Sequence, residues 1–124
     1  MFCIKTSLYV HIGVVLEDLL TVAKALADET RLRILNILFH GEYCVCNLQK
    51  ILDMSEPRVS RHVKILYTAG LLEARKDGKW IYYSPKYTEE NRILFTYLNC
   101  KYAKEQSFLN DLKAGLSKNK TCSV

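Results

Sequence analysis

The sequence predicts a mainly α-helical domain that carries one small β-hairpin. Two observations predict this fold. Amphipathic segments with helical spacing occupy most of the chain, and an Asp-Gly turn at 77–78 separates two short runs of β-prone residues. A chain of 124 residues has the length of one small domain. We therefore predict a single domain over residues 1–124, with flexible tails at about 1–7 and 117–124. The order of four helices, a β-hairpin and a last helix is that of a winged helix-turn-helix.

The first four helices are predicted from apolar spacing and from residues that favour helix ends. An apolar stripe over residues 12–27 predicts the first helix, and residues 28–41 form the second, with acidic residues in its first turn. The third helix is predicted over residues 44–52. Ser55 is a favourable N-cap for the fourth helix, which extends to a glycine at position 70. The third and fourth helices form the predicted helix-turn-helix.

The hairpin and one long last helix complete the predicted fold. Residues 71–75 and 80–84 are the predicted strands, on either side of a turn over residues 76–79. Thr88 is predicted to cap a last helix rich in aliphatic and aromatic residues. The first and last helices present more apolar surface than one small domain can cover, so we predict a homodimer.

The net charge of +5 is concentrated on the fourth helix and the hairpin. Residues 55–87 contain seven Lys or Arg and three Asp or Glu, whereas residues 1–54 contain five and six. A basic helix beside a basic hairpin favours binding to duplex DNA, although a solvated surface helix is the plain alternative. The predicted DNA contacts are Ser55, Arg58, Ser60, Arg61, His62 and Lys64 on the helix and Arg75, Lys76 and Lys79 on the hairpin. Arg58 and Arg61 could read guanine in the major groove, and the other helix residues suit phosphates or mixed contacts. The hairpin residues would reach the backbone or an adjacent minor groove.

The number of cysteines and the hydropathy of the chain indicate the cellular compartment of the protein. Charged residues recur throughout the chain, so we expect no membrane span. Five cysteines are an odd number, and Cys44 and Cys46 are too close in sequence to pair comfortably. We therefore expect a reduced, cytoplasmic protein whose thiols bind a ligand or pack in the core.

Four blocks of the sequence resemble those of the ArsR/SmtB family of metal-responsive repressors: TVAKALADETRLRIL, EYCVCNLQKIL, SEPRVSRHVKILYTAGLL and RKDGKWIYYSP. The resemblance covers roughly residues 15–87 and is strongest to the arsenic-sensing ArsR branch, in which a Cys-Val-Cys element opens the third helix. It implies a dimer formed by the first and last helices. It also implies a repressor that binds its operator, an imperfect palindrome, without effector and leaves it when a metalloid binds.

Cys44 and Cys46 are the predicted effector ligands. Thiolates are the ligands that soft metals and trivalent arsenic prefer, although free cysteines more often act as small buried hydrophobes. Residues i and i+2 of a regular helix point about 200° apart. Holding one ion with both sulfurs must therefore unwind the first turn of the third helix, which packs against the DNA-reading helix. The expected effector is arsenite, antimonite or another thiophilic ion, and no catalytic cofactor is expected.

The third ligand is left open by the sequence. The arsenic-sensing pattern has a cysteine three residues after the second one, where this chain has Gln49. Either two sulfurs suffice with an external third ligand, or Cys3 or, less favourably, Cys100 completes a trigonal site. Zinc sensing on the last helix is not expected, because residues 88–116 contain no histidine.

Two other functions were weighed. The cysteines could sense oxidants or persulfides, or be structural only, while the DNA binding is retained. A thiol enzyme such as a disulfide oxidoreductase needs a Cys-x-x-Cys motif on a βαβ framework, and neither is found in the sequence. We therefore predict that the protein is not an enzyme.

Overall fold

The computed structural model describes residues 18–102 and 105–117. In chain order the elements are α1 (residues 18–26), α2 (Glu29–Leu38), β1 (Tyr43–Cys44), α3 (Val45–Leu52), α4 (Glu56–Thr68), β2 (Leu72–Asp77), β3 (Trp80–Pro85), α5 (Glu89–Tyr102) and α6 (Gln106–Ser117). The predicted fold class, a mainly helical winged helix-turn-helix, is confirmed. Residues 12–17 of the predicted first helix and the predicted tails lie outside the described residues, except for Ser117.

Helices α3 and α4 form the helix-turn-helix because a tight link turns the chain between them. Asp53 ends α3 in the left-handed conformation, with φ of 56°, which aspartate tolerates better than most residues. The amide of Met54 donates to the carbonyl of Gln49 at 3.2 Å and closes the turn. Ser55 then precedes α4 in an extended conformation, and Pro57 lies in its first turn. The two helices pack directly against each other.

The hairpin is part of a three-stranded antiparallel sheet in the order β1-β3-β2. Asp77 lies opposite Trp80, so the turn contains only Gly78 and Lys79, and Gly78 has the positive φ of 64° that such a turn requires. The predicted four-residue turn was therefore too long and the predicted strands too short. We call the segment over residues 72–85 the wing.

Strand β1 was not predicted from the sequence. Tyr43 pairs with Tyr83 and Cys44 pairs with Tyr82, both on β3. The third helix was predicted to begin at Cys44, but it begins at Val45, because the backbone of Cys44 is extended and belongs to the sheet. A two-residue strand is too short to produce the alternation by which strands are recognised in a sequence.

The single long last helix was predicted wrongly, because the chain turns back after α5. Helix α6 packs against α2 and α3. The guanidinium of Arg33 on α2 donates to both carboxylate oxygens of Asp111 on α6, at 2.7 and 2.8 Å. Asp111 is only 4% exposed, so this bidentate pair compensates the burial of its charge. The apolar side chains assigned to one helix are thus shared between two helices that face different surfaces.

The core lies between α2, α3, α4 and α5. Its central side chains are almost fully buried and come from all four helices and the start of the wing: Ile34, Leu35, Leu48, Val59, Val63, Leu66, Leu72 and Phe95. Phe39 packs edge-on against Phe95, with ring centroids 5.1 Å apart, and joins α2 to α5. Within the described ranges, no helix has the length and apolar character needed to cross a membrane.

Candidate nucleic-acid interface and effector site

Helix α4 presents a buried apolar face and an exposed polar face. Val59, Val63 and Leu66 are at most 2% exposed and hold the helix against the core. The other side carries four exposed residues of the predicted DNA contact set, namely Arg58, Ser60, Arg61 and Lys64, and Ser55 is exposed just before the helix. This arrangement fits the way a recognition helix presents its polar side chains to the major groove.

His62 differs from the other predicted contacts because it turns towards α2. Its side chain is 14% exposed, and its Nδ1 accepts a hydrogen bond from Nη1 of Arg31 at 3.1 Å. Burial lowers the pKa of His62; the carboxylate of Asp28 opposes this shift, and the nearby Arg31, Arg58 and Arg61 reinforce it. The imidazole is therefore neutral at physiological pH and joins α4 to α2. A contact between His62 and DNA stays a prediction.

The wing carries two exposed lysines and one arginine that already has partners. Lys76 and Lys79 are exposed, and the ammonium of Lys79 lies 5.4 Å from the ring centre of Trp80. Arg75 lies over the ring of Tyr82 at 5.0 Å and donates to the carboxylate of Glu42 at 2.8 Å. The hydrogen bond that Arg75 donates to Glu42 raises the pKa of Arg75. Glu42 therefore competes with any phosphate for this cation.

Cys44 lies at the junction between the sheet and α3. Its thiol is 3% exposed and donates to Oδ1 of Asn47 at 3.0 Å, and its backbone amide lies 3.4 Å from the same oxygen. Cys44 is the N-cap of α3 and at the same time a residue of β1. Residues 44–46 thus run from the end of β1 into the first turn of α3, and their role as an effector element stays a prediction.

The other cysteines are placed differently. Cys46 lies in the first turn of α3, is partly exposed and is disulfide-bonded, whereas Cys44 and Cys100 form no disulfide. The expectation of reduced thiols is therefore not met at Cys46. Cys100 is exposed on α5, and in the described part of the chain no group of three or more His, Cys, Asp or Glu side chains is placed to hold a metal ion. Cys3 lies outside the described residues.

The sequence reasoning missed Asn47 and Glu42. Asn47 is 6% exposed and its carboxamide binds the residue that caps α3. The signal was present, because a polar side chain three residues after a helix cap often bonds back to that cap. Glu42 pairs with Arg75 across 33 positions of sequence, and no local pattern indicates such a contact.

These features define a winged helix-turn-helix regulator. A family model for bacterial regulatory proteins of the arsR family matches residues 28–74. The chain is 42% identical over 104 residues to the arsenical resistance operon repressor of Escherichia coli K12, which covers 77% of this chain and 89% of that protein. The chain therefore belongs to the ArsR family. It is a DNA-binding transcriptional regulator and not an enzyme, as its sequence predicted.

Two further similarities extend this result. A cadmium resistance transcriptional regulatory protein from Staphylococcus aureus, a CadC homologue, is 41% identical over 68 residues, which are 54% of this chain and 56% of that protein. The homodimeric winged helix-turn-helix domain of a possible ArsR-family regulator from Mycobacterium bovis superposes with a TM-score of 0.66. The sequences are 28% identical, and the match covers 80% of this chain and 88% of that one. The fold is thus shared beyond the region that the family model matches.

Proposed function

We propose that the protein is a homodimeric repressor that leaves an imperfectly palindromic operator when arsenite, antimonite or another thiophilic ion binds Cys44 and Cys46. The observation that carries this proposal is the position of Cys44. It caps α3, which packs on α4, and its strand pairs with the wing. A ligand that moves this residue acts on both parts of the DNA-binding surface.

The effector class is supported by the donor atoms and by the relatives. Two cysteines two residues apart offer soft sulfur ligands, which suit trivalent arsenic, antimony and cadmium better than hard cations. The relative from Escherichia coli is named for arsenical resistance and the one from Staphylococcus aureus for cadmium resistance. Arsenic and cadmium are both thiophilic.

The homodimer is supported by apolar side chains that one chain leaves uncovered. Leu19 and Leu20 on α1 are 61% and 48% exposed, and Ile93 and Tyr97 on α5 are 77% and 59% exposed. Such a set on two helices is typical of an interface. The similar domain from Mycobacterium bovis is homodimeric. We propose that α1 and α5 form this interface, which places two α4 helices about one turn of DNA apart.

The release mechanism follows from the local hydrogen bonds. To join an ion, the thiol of Cys44 must leave Oδ1 of Asn47 and emerge from a site that is 3% exposed. This movement opens the first turn of α3. Shifting an almost fully bound population to an almost fully free one requires a preference of about 5.5 kcal/mol for the released form. We propose that two or three thiolate bonds supply this preference once an external thiol has reduced the disulfide of Cys46, with Cys3 as the third ligand.

A second candidate function is favoured by the disulfide at Cys46. A thiol that pairs with another sulfur can respond to an oxidant, since oxidation of two thiols to a disulfide transfers two electrons to the oxidant and releases two protons. In this alternative the protein is a redox-responsive repressor, and metal ions are not needed for release.

One titration distinguishes the two functions. Release from the operator is measured by fluorescence anisotropy with arsenite, antimonite, cadmium, lead and zinc under reducing conditions, and with hydrogen peroxide without metal. We expect release by arsenite or another thiophilic ion and none by zinc. The double variant Cys44→Ser/Cys46→Ser should still bind the operator but no longer respond, because hydroxyls are poor ligands of soft ions. Gln49→Ser, on the same helix but with no sulfur to lose, serves as the matched control.

Other outcomes of this titration test the effector site, the redox alternative and the third ligand separately. Release of the double variant at the parental arsenite concentration would refute the effector site. Release by peroxide alone, lost in Cys46→Ser, would select the redox function. A large loss of arsenite response in Cys3→Ser would identify the third ligand, and no loss would favour Cys100 or an external thiol.

A further inference from the structure

Helix α4 has a second basic flank, opposite the wing, that joins two predicted DNA contacts, Arg61 and Lys64, to two cations that were not predicted to bind DNA. A cleft of about 450 Å³ lies between α1 and α4. Its walls include Lys24 and Arg31 from the first two helices and Arg61 and Lys64 from α4, with Ala25 and Ile65 as apolar lining. Among the described residues, no acidic side chain lines this cleft. Four cations around one concave surface favour an anion.

The cleft and the wing lie on different sides of α4. Tyr67 packs edge-on against Tyr83 of β3, with ring centroids 6.3 Å apart, so this side of the helix faces the wing. Ile65 lies two residues earlier, about 200° around the helix, and lines the cleft with α1. A helix in the major groove has a phosphate backbone on each side. The wing and the cleft lie on opposite sides of the helix and could each meet one of these backbones.

The guanidinium of Arg31 fixes the backbone around Lys24 at this flank. Arg31 donates from Nη2 to the carbonyl of Lys24 at 3.0 Å and from Nε to the carbonyl of Ala25 at 2.6 Å. The same guanidinium donates to His62 of α4 at 3.1 Å. Arg31 therefore ties the end of α1 to the reading helix, while the side chain of Lys24 stays exposed. Three hydrogen bonds occupy Arg31, which leaves Lys24, Arg61 and Lys64 as the accessible cations, and Arg61 is already predicted to read a base.

We propose that Lys24, together with Lys64, binds a phosphate of the operator backbone on the flank of α4 opposite the wing. Lys24 lies on α1, outside the helix-turn-helix and the wing, and the net charge of residues 1–54 is −1, so composition gave no signal for it. The contact makes the DNA interface two-sided. It fixes the depth and tilt of α4 in the groove without reading any base.

The test compares the salt dependence of binding for three variants. Each phosphate contact contributes about 0.9 to the slope of log affinity against log salt. We expect Lys24→Gln to lower this slope by about one per chain and to weaken operator and random duplex alike, by about fivefold per chain at about 0.15 M salt. Lys79→Gln on the wing should have the same effect. Lys113→Gln, which removes an equal charge from an exposed site on α6, should leave the slope unchanged.

Neutral methylphosphonate linkages locate the contact. Replacing single phosphates should weaken the parent protein on both backbones that border the major groove. In Lys24→Gln the sensitivity should disappear only on the backbone away from the wing. A Lys24→Gln variant with the parental slope and every parental sensitivity would overturn the inference while DNA binding itself stands. A parent protein that binds no duplex would overturn both. Circular dichroism and thermal melting confirm that each variant is folded.

Discussion

Asn47→Ala should make the repressor more sensitive to arsenite, although Asn47 is not proposed to touch the ion. The carboxamide oxygen of Asn47 accepts a hydrogen bond from the thiol of Cys44 at 3.0 Å and lies 3.4 Å from the backbone amide of Cys44. Both contacts stabilise the closed first turn of α3, and both must be lost when Cys44 moves to an ion. The substitution removes both contacts beforehand, so less free energy is needed to open the turn and reach the released form.

The size of this effect can be worked from the two contacts. A hydrogen bond contributes about 0.5–1.5 kcal/mol net, a thiol is a weak donor, and the amide contact is long. Together they contribute about 1 kcal/mol to the closed turn. Since 1.4 kcal/mol corresponds to a factor of ten, the arsenite concentration for half release should fall about fivefold. Operator affinity without arsenite should fall by no more than this factor.

The assay is operator release followed by anisotropy, together with urea unfolding of the free protein. Gln49→Ala is the matched control, because Gln49 lies on the same helix but its side chain has no hydrogen bond to Cys44 among those described. The reasoning is refuted if Asn47→Ala lowers the free energy of unfolding by about 1 kcal/mol and yet releases at the parental arsenite concentration or above it.

Three further predictions concern the DNA surface and its pH dependence. Arg61→Ala should weaken operator binding by about 1–3 kcal/mol and relax base preference, whereas Lys79→Ala should weaken all sequences alike; equal losses on operator and random duplex for both variants would contradict this division. Glu42→Gln should strengthen binding to any duplex and raise the salt slope by about one per chain, because it frees Arg75 for a phosphate; unchanged binding would show that Glu42 does not compete with a phosphate for Arg75. The lowered pKa of His62 means that the unfolded chain takes up a proton before the native one. The free energy of unfolding should therefore stay constant above about pH 6.5. It should decrease as the pH falls from there through the lowered pKa of His62 in the native state. His62→Gln should flatten this decrease in urea titrations at several pH values, and an unchanged pH profile would exclude His62 as its source.

The elements that the sequence predicted well are those with a local periodic signal. The buried face of α4 follows from the spacing of Val59, Val63 and Leu66, and the hairpin follows from its Asp-Gly turn. The position of the Cys-Val-Cys element followed from a family resemblance, not from spacing. Features that depend on contacts distant in sequence were missed, among them strand β1, the return of α6 and the pairing of Arg75 with Glu42.

The same limit applies to the predicted contact set on α4. Helical spacing placed His62 on the polar side, within the arc of Arg58 and Arg61. Its orientation is decided by Arg31, whose guanidinium accounts for one ring nitrogen at 3.1 Å. Arg31 lies 31 residues earlier, so no pattern along α4 reveals this partner. Position on a helical face thus predicts exposure only when no side chain from another element covers that face.

In the proposed mechanism, the two-sided attachment of Cys44 is what allows a ligand at one residue to act on the whole DNA-binding surface. Through its backbone, Cys44 pairs with Tyr82 on β3, and β3 pairs with β2 along the length of the wing. Through the first turn of α3, it is joined to a helix that packs on α4. The wing and α4 must bind the DNA at the same time, so the distance and angle between them must match the spacing of the phosphates and bases that they contact. A ligand that pulls Cys44 out of both attachments disturbs the relation between the two parts, and it achieves this without approaching the DNA itself.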